Sequence, residues 1–212
     1  MWYFLKEMFV LNNSIITHTG RYFSYDNISE DNIHIDDIIH SLPRINRFVG
    51  HSIRPYSVGE HSIYCYLMSK HLGYTNREQL LVLMHDFTEA YIGDCPSPLK
   101  KYIPEFNEIE DRVENAIYKS LKIDMPTQEE VAKIKDIDIT MLMIEMIQLT
   151  NHKHIQLNSG LGQRNKIYTE FFTDFDFALK HNKYSKSINY DKDVYNDLNN
   201  MFKEAVNNVN KE

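Results

Sequence analysis

The stretch LLVLMHDFTEAYIGDCPSPLK, residues 80–100, passes from an apolar run to four ionisable residues, His85, Asp86, Glu89 and Asp94, and ends in a proline-rich turn. Leu80 to Met84 are apolar on every side, the pattern of a helix sunk in a core rather than lying on a surface. Thr75 with Glu78 three residues on is a capping-box start, and Gly93 breaks the pattern, so the spacing predicts a helix from 76 to about 92. On that helix Asp86 and Glu89 are three apart and His85 and Glu89 four apart, which puts all three on one face. Buried carboxylates and imidazoles need a compensating partner, and one divalent cation compensates several at once.

Similar signals organise the rest of the chain. Ser57 with Glu60 opens a helix to about Leu72, and Thr127 with Glu130 opens one to about Thr150. Residues 104–122 carry Phe106, Ile109, Val113, Ile117 and Leu121 on one face, and 31–42 show a helical period that stops at Pro43. Residues 163–181 also read as helix. Strand signal is confined to 8–25, where MFVL and SIITHTGRYFSY flank an Asn12-Asn13 turn. Tyr195, Leu198, Phe202, Val206 and Val209 repeat at helical spacing behind a polar stretch at 182–190, which predicts a peripheral last helix on a flexible link. The expected architecture is one all-α domain over 1–182, with a β-arm at 8–25 and a helical core at 31–181, followed by a linker and peripheral helix at 183–212.

Composition narrows the function. A chain of 212 residues, 42% hydrophobic and 25% charged, builds one sizeable core of ordinary globular type. The net charge of −7 comes without a long basic run, so duplex nucleic acid is not the expected partner, since phosphate neutralisation needs clustered Lys and Arg. Cys65 and Cys95 are in no C-x-x-C pattern and read as ordinary thiols of a reducing, cytoplasmic protein. MWYFLKEMFVLNN at the start carries Lys6 and Glu7 within a short apolar stretch and reads as neither signal nor membrane span.

The pair His85-Asp86 alone is weak evidence, because about 0.7 His-Asp pairs are expected by chance in this composition. Adding Glu at +4 from His85 and Gly-Asp at +8 and +9 lowers the expectation to roughly 10⁻⁴. A metal site needs further ligands. His61, in the first turn of the helix from Ser57, is either a third ligand or a satisfied core histidine. Asp136 or Asp138, ahead of an apolar helical stretch, is either a fourth ligand or a solvated, capping aspartate. His152 and His154 read as solvent-exposed, and Asp36-Asp37 and Glu129-Glu130 as helix first-turn charges.

With these residues in place, His61, His85-Asp86 and Asp138 resemble the H…HD…D signature of the HD-domain metal-dependent phosphohydrolases. RFVGH (47–51), YSVGEHS (56–62), HDFTEAYIGDCPSPLK (85–100) and DITMLMIE (138–145) resemble successive blocks of the branch that holds bacterial and phage 5′-deoxynucleotidases and phage deoxynucleoside triphosphohydrolases. TGRYF with IHIDDIIHSL is similar to the lead-in of phage and plasmid members, so the likeness covers about residues 17–150. It implies an HD-domain helical bundle with one divalent transition metal (Mn²⁺, Co²⁺, Fe²⁺ or Zn²⁺, with Mg²⁺ also compatible) held by His61, His85, Asp86 and Asp138. Asp138 is preferred to Asp136 because the family's Asp stands seven residues before a Glu, here Glu145. The resemblance further implies Glu89 as the catalytic carboxylate alongside the metal-bound Asp86, Arg47 on the phosphate and Asp94 on the sugar 3′-hydroxyl. Phe48 stands where the family often has Trp over the base. His51 is read as a pocket or structural residue, and Lys100 as a point charge on the phosphate or a surface lysine.

The activity so implied is hydrolysis of deoxynucleoside 5′-monophosphates, in the cytoplasm (the host's, for a phage protein) and with a homodimer as the implied assembly. The alternatives are release of triphosphate from deoxynucleoside triphosphates and a non-catalytic, metal-stabilised nucleotide-binding module. The extra histidines and G-Y-P element of the cyclic-di-GMP-cleaving branch are not present in the sequence.

Overall fold

The computed structural model describes residues 13–151, 179 and 182–211. Two three-residue strands, β1 (Ser14–Ile16) and β2 (Tyr22–Ser24), form an antiparallel hairpin with Ile15 opposite Phe23. Its turn lies at 17–21, where Thr17 N–H donates to Arg21 O at 2.9 Å and Gly20 takes φ +78°. The chain therefore reverses inside the segment expected to be one strand, and residues 8–12 of the expected arm lie outside the described residues. Phe23 is fully buried and stacks on Tyr91 at 4.4 Å. Asp37, expected only as a first-turn charge, is buried and accepts from Thr19 N–H (2.7 Å) and Oγ1 (3.1 Å), tying the hairpin to the first helix.

The helices follow in order: α1 (Ile35–Ser41), α2 (Val58–His71), α3 (Asn76–Met84), α4 (Glu89–Ile92), α5 (Ser97–Lys100), α6 (Pro104–Leu121), α7 (Gln128–Leu149) and α8 (Tyr190–Val209). Short 3₁₀ turns at Glu30–Asn32, Leu42–Arg44 and Arg47–Gly50 link the early elements, Pro43 lying within the second. The apolar helices are central. α2 packs against α3, α7 and α8, and the whole of Leu80–Met84 in α3 is buried. Gly59 is what lets α2 approach so closely, since a Cβ there would stand 3.0 Å from Pro43 N and 3.1 Å from Val194 Cγ1.

Three expectations change. First, the helix predicted over 76–92 ends at Met84 and resumes at Glu89. His85 Nδ1 lies 2.7 Å from the Val82 carbonyl oxygen, the acceptor that a continuing helix would use for Asp86 N–H, and Phe87 N–H bonds back to Met84 O. Second, Thr75/Glu78 and Thr127/Glu130 form reciprocal capping boxes, but Ser57/Glu60 does not. Ser57 Oγ accepts from Glu60 N–H at 3.1 Å, while the buried Glu60 carboxylate takes Arg54 (2.8 and 2.6 Å), Asn182 (2.6 Å) and Tyr190 (2.7 Å).

Third, the last helix is not peripheral. Val194, Leu198 and Ala205 are in the core, and α8 packs on α2 and α3. The preceding link is pinned, with Asn182 Oδ1 accepting from Tyr184 N–H (2.9 Å) and Ser185 N–H (3.0 Å) and with Tyr184 buried. The helix expected at 163–181 lies outside the described residues except for Leu179, as do His152 and His154. Among the described residues no helix is long and apolar enough to cross a membrane.

Candidate active site

Three helices and one turn converge on a single spot. α2 brings His61 from its first turn, the end of α3 brings His85 and Asp86, and α7 brings Asp138 with Glu145 two turns further along. The four expected ligands meet. His61 Nε2 and His85 Nε2 are 3.1 Å apart, and His61 Nε2 lies 3.5 Å from Asp86 Oδ2 and 3.3 Å from Asp138 Oδ1. His85 Nε2 lies 3.3 Å and 3.9 Å from the same two oxygens. Donors bound to one ion at 2.0–2.2 Å stand about 3.0–3.5 Å from one another, the range most of these pairs occupy. Asp138 is partly open to solvent whereas His61 is fully buried, so the cluster has a closed wall and an accessible side.

The tautomers point the same way. His85 Nδ1 faces the Val82 carbonyl, an acceptor only, and His61 Nδ1 faces the Glu145 carboxylate at 2.5 Å. Each Nδ1 must carry a proton to make its bond, so once the imidazoles are neutral, above their raised pKa values, both Nε2 lone pairs are directed at one another. At 3.1 Å two such lone pairs repel unless a cation lies between them, either a proton on one Nε2 or a shared metal ion.

Cys65, one turn along α2 from His61, joins the same group: one donor atom each from His61, Cys65 and His85 lie within 4.8 Å of one another. Two donor sets therefore share the imidazoles, one completed by the thiol and the other by the two carboxylates. Burial pushes the Cys65 thiol up to about 11, so it keeps its proton near neutrality. Burial also opposes ionisation of Asp86, but His85, His61 and Arg47 outweigh it and hold that carboxyl well below the usual range. Asp138 is lowered too, its burial outweighed by His61 and His85. The ionised carboxylates are the better donors.

Glu89 begins α4 and is buried, with Oε2 lacking any hydrogen-bond partner among the described residues. Burial, then Asp86 and Asp94, push its pKa well above the ordinary glutamate value. A buried carboxyl displaced upward beside an ion cluster has the character of an acid–base group. Gly93, at φ +75°, turns the chain so that Asp94 follows half-buried, its pKa raised by its own burial against the pull of Arg47.

Arg47 is held beside α2 by paired backbone, with its N–H donating to Tyr56 O and Val58 N–H donating to Ile45 O, both at 2.9 Å. Its guanidinium reaches Glu145 Oε2 from Nε (3.2 Å) and Nη2 (3.1 Å) and Asp86 Oδ2 from Nη1 (3.4 Å). The next three residues, Phe48, Val49 and Gly50, all take positive φ (56°, 51° and 77°). For a β-branched residue such as Val49 this conformation is strained by about 1–2 kcal/mol, the kind of strain that gathers at functional sites. Phe48 is half-buried and His51 exposed. Lys100 gives its ammonium to Glu110 at 2.7 Å and 3.0 Å, so the charge that the sequence offered to a phosphate is already paired.

The sequence reading missed three members of the site. Glu145 served only to choose between Asp136 and Asp138, yet it is fully buried and bonded to His61, Arg47 and Tyr56. A glutamate inside TMLMIEMIQL was the available signal. Tyr56 and Cys65 gave none beyond their apolar surroundings.

The family model described as HD domain matches residues 39–137, which include Arg47, His61, His85, Asp86, Glu89 and Asp94 and end one residue before Asp138. The matched segment, just under half of the chain, is similar to an HD domain. A curated relative, the Escherichia coli (strain K12) protein YfdR, itself described as uncharacterized, is 39% identical over 104 residues. The alignment covers 49% of this chain and 55% of YfdR, so the chain spans about half the length of the relative it matches. HD domains as a family are metal-dependent phosphohydrolases that bind divalent ions. Among the described residues the bundle that carries the matched segment is all-α apart from its small hairpin.

Proposed function

We propose that this chain is a divalent-metal-dependent 5′-deoxynucleotidase of the HD-domain type, releasing phosphate from deoxynucleoside 5′-monophosphates. The observation that carries the metal part of the reading is the convergence of the His61 and His85 Nε2 atoms, 3.1 Å apart, with carboxylate oxygens of Asp86 and Asp138 at 3.3–3.9 Å. His61, His85, Asp86 and Asp138 would hold the ion, and this mixed N/O set suits Mn²⁺, Co²⁺, Fe²⁺ or Zn²⁺. When bound, such an ion supplies a Lewis acid for the phosphate and a water acidified toward neutral pH.

The chain's own residues supply the remainder. Glu89, buried and with one oxygen unpartnered among the described residues, holds or takes a proton beside the reacting phosphate. Arg47 stays charged at all working pH values and can turn its Nη1 edge from Asp86 toward phosphate oxygens as negative charge builds up. Asp94, half-buried after Gly93, can accept a hydrogen bond from a sugar hydroxyl. Phe48, in its strained turn beside Arg47, offers a ring to the base. The monophosphate preference rests on the resemblance of RFVGH and HDFTEAYIGDCPSPLK to the deoxynucleotidase branch. A homodimer and a cytoplasmic location belong to the same reading.

The test is a product-resolved screen of dNMPs, NMPs and dNTPs with several divalent metals. Deoxyadenosine plus phosphate from dAMP supports the proposal. Triphosphate released from dATP, with dAMP untouched, would transfer the same site to triphosphohydrolase chemistry. No turnover of any nucleotide with any metal would leave only a binding module.

A further inference from the structure

Glu145 is the most heavily engaged buried charge of the site, and neither the sequence motifs nor the HD match, which ends at residue 137, gives it a task. It is fully buried in the middle of an apolar helical run, with four donor atoms on its two oxygens. Oε1 faces His61 Nδ1 at 2.5 Å and accepts from Tyr56 OH at 2.8 Å. Oε2 accepts from Arg47 Nε at 3.2 Å and Nη2 at 3.1 Å. It shares the α7 face with Asp138, seven residues earlier.

We propose that Glu145 is the positioning residue of the centre: it fixes His61 as the Nδ1–H tautomer with Nε2 presented to the ion, and clamps Arg47 in register with that imidazole. Among the described residues His61 has no backbone acceptor at Nδ1 comparable to the Val82 carbonyl that serves His85, so its orientation depends on this carboxylate. One helix thereby delivers a ligand, Asp138, and the group that aims a second ligand on another helix. An anion behind the imidazole also makes it a stronger donor, the usual consequence of a carboxylate placed behind a ligating histidine. Tyr56 completes the oxygen that faces His61 without touching the imidazole bond.

The inference rests on the reading of the His61/His85 cluster as a metal site, so its test is arranged to separate the two. Zn²⁺ affinity is measured by competition with a chromogenic chelator for the wild type, Glu145→Gln, Tyr56→Phe and His61→Ala, each checked by circular dichroism and thermal melting. Glu145→Gln is expected to weaken Zn²⁺ binding about 10–100-fold, the scale of lost outer-shell carboxylates. Tyr56→Phe should weaken it less. Imidazole ¹⁵N spectra of the metal-free variant with neutral imidazoles should show His61 no longer held as a single Nδ1–H tautomer, whereas in the loaded protein the ion at Nε2 would itself fix that tautomer. Should Glu145→Gln fail to fold, Glu145→Asp, which keeps the charge but withdraws it by one methylene, must show a loss of the same sign. Zn²⁺ affinity within threefold of wild type in the folded Gln or Asp variant, with His61→Ala still abolishing binding, overturns the positioning role alone. Unchanged affinity in His61→Ala as well overturns the metal site itself.

Discussion

Replacing Arg54 with alanine withdraws a guanidinium from a carboxylate that has no contact with solvent. Glu60 is fully buried and receives Arg54 Nη1 at 2.8 Å and Nη2 at 2.6 Å, while Arg54 Nη2 and Nε also bond the Leu179 carbonyl at 2.6 Å and 3.1 Å. Breaking a buried ion pair from one side costs about 3–5 kcal/mol, because the remaining charge stays in a low dielectric. Asn182 Nδ2 and Tyr190 OH remain on Glu60 and carry part of that charge, which puts the expected loss near the lower end, about 3 kcal/mol. With an unfolding slope of about 2 kcal/mol/M in urea, the midpoint falls by about 1.5 M. The control is Arg44→Ala. Its pair with Asp191 has a similar N–O distance, 2.8 Å, but the two side chains are 40% and 50% exposed, so the expected loss is at most about 1 kcal/mol. If Arg54→Ala costs no more than Arg44→Ala, burial is not what gives the Glu60 cluster its strength, and the reasoning fails. The cluster also anchors the start of α2, next to His61, so Arg54→Ala should lower metal affinity in the folded fraction.

Gly59→Ala puts a Cβ 3.0 Å from Pro43 N and 3.1 Å from Val194 Cγ1, and overpacking of this kind costs about 1–3 kcal/mol, read as a lowered urea midpoint with an unchanged slope. Glu89→Gln should abolish hydrolysis while metal stays bound. Because the folded pKa of Glu89 is raised, its carboxyl disfavours the fold at every pH above the ordinary glutamate value, so in chelator at pH 7 the variant should melt higher than the wild type. A variant that keeps its turnover contradicts the acid–base role. Burial and Arg47 lower His61, but Cys65, Glu145 and Asp138 outweigh them and raise it well above 6.5, and His85 is raised against its own burial by Asp86. The protonated imidazoles therefore stabilise the metal-free fold at low pH, a contribution lost as pH rises through their folded values, while the ion competes for the same nitrogens. The increase in melting temperature on adding Zn²⁺ should grow from pH 6 to pH 8, and a flat profile counts against imidazole ligation.

Much of this arrangement was legible because its residues are out of place. His85, Asp86 and Glu89 directly follow five apolar residues, and three S/T-x-x-E boxes marked helix starts close to where α2, α3 and α7 begin. What escaped depends on groups distant in sequence. The helix over 76–92 could not be seen to break at His85, because the imidazole takes the Val82 carbonyl while serving a cluster built from α2 and α7. Glu60 matched the local capping pattern but is recruited by Arg54 and by Asn182, more than a hundred residues away. The amphipathic period of α8 correctly marked its buried stripe, but periodicity does not say whether a stripe covers the core or closes it. Glu145 was visible as a charge within an apolar run, and only the fold shows that three partners share it.

The most direct measurement strips the protein with chelator and follows dAMP hydrolysis as Mn²⁺ or Co²⁺ is returned in substoichiometric steps, with bound metal quantified at each step. A metal-dependent centre at His61, His85, Asp86 and Asp138 gives no turnover in chelator, activity rising linearly to one ion per chain, and neither metal uptake nor activity in His85→Ala. Turnover that persists in chelator, or metal taken up to one equivalent by His85→Ala, would contradict it.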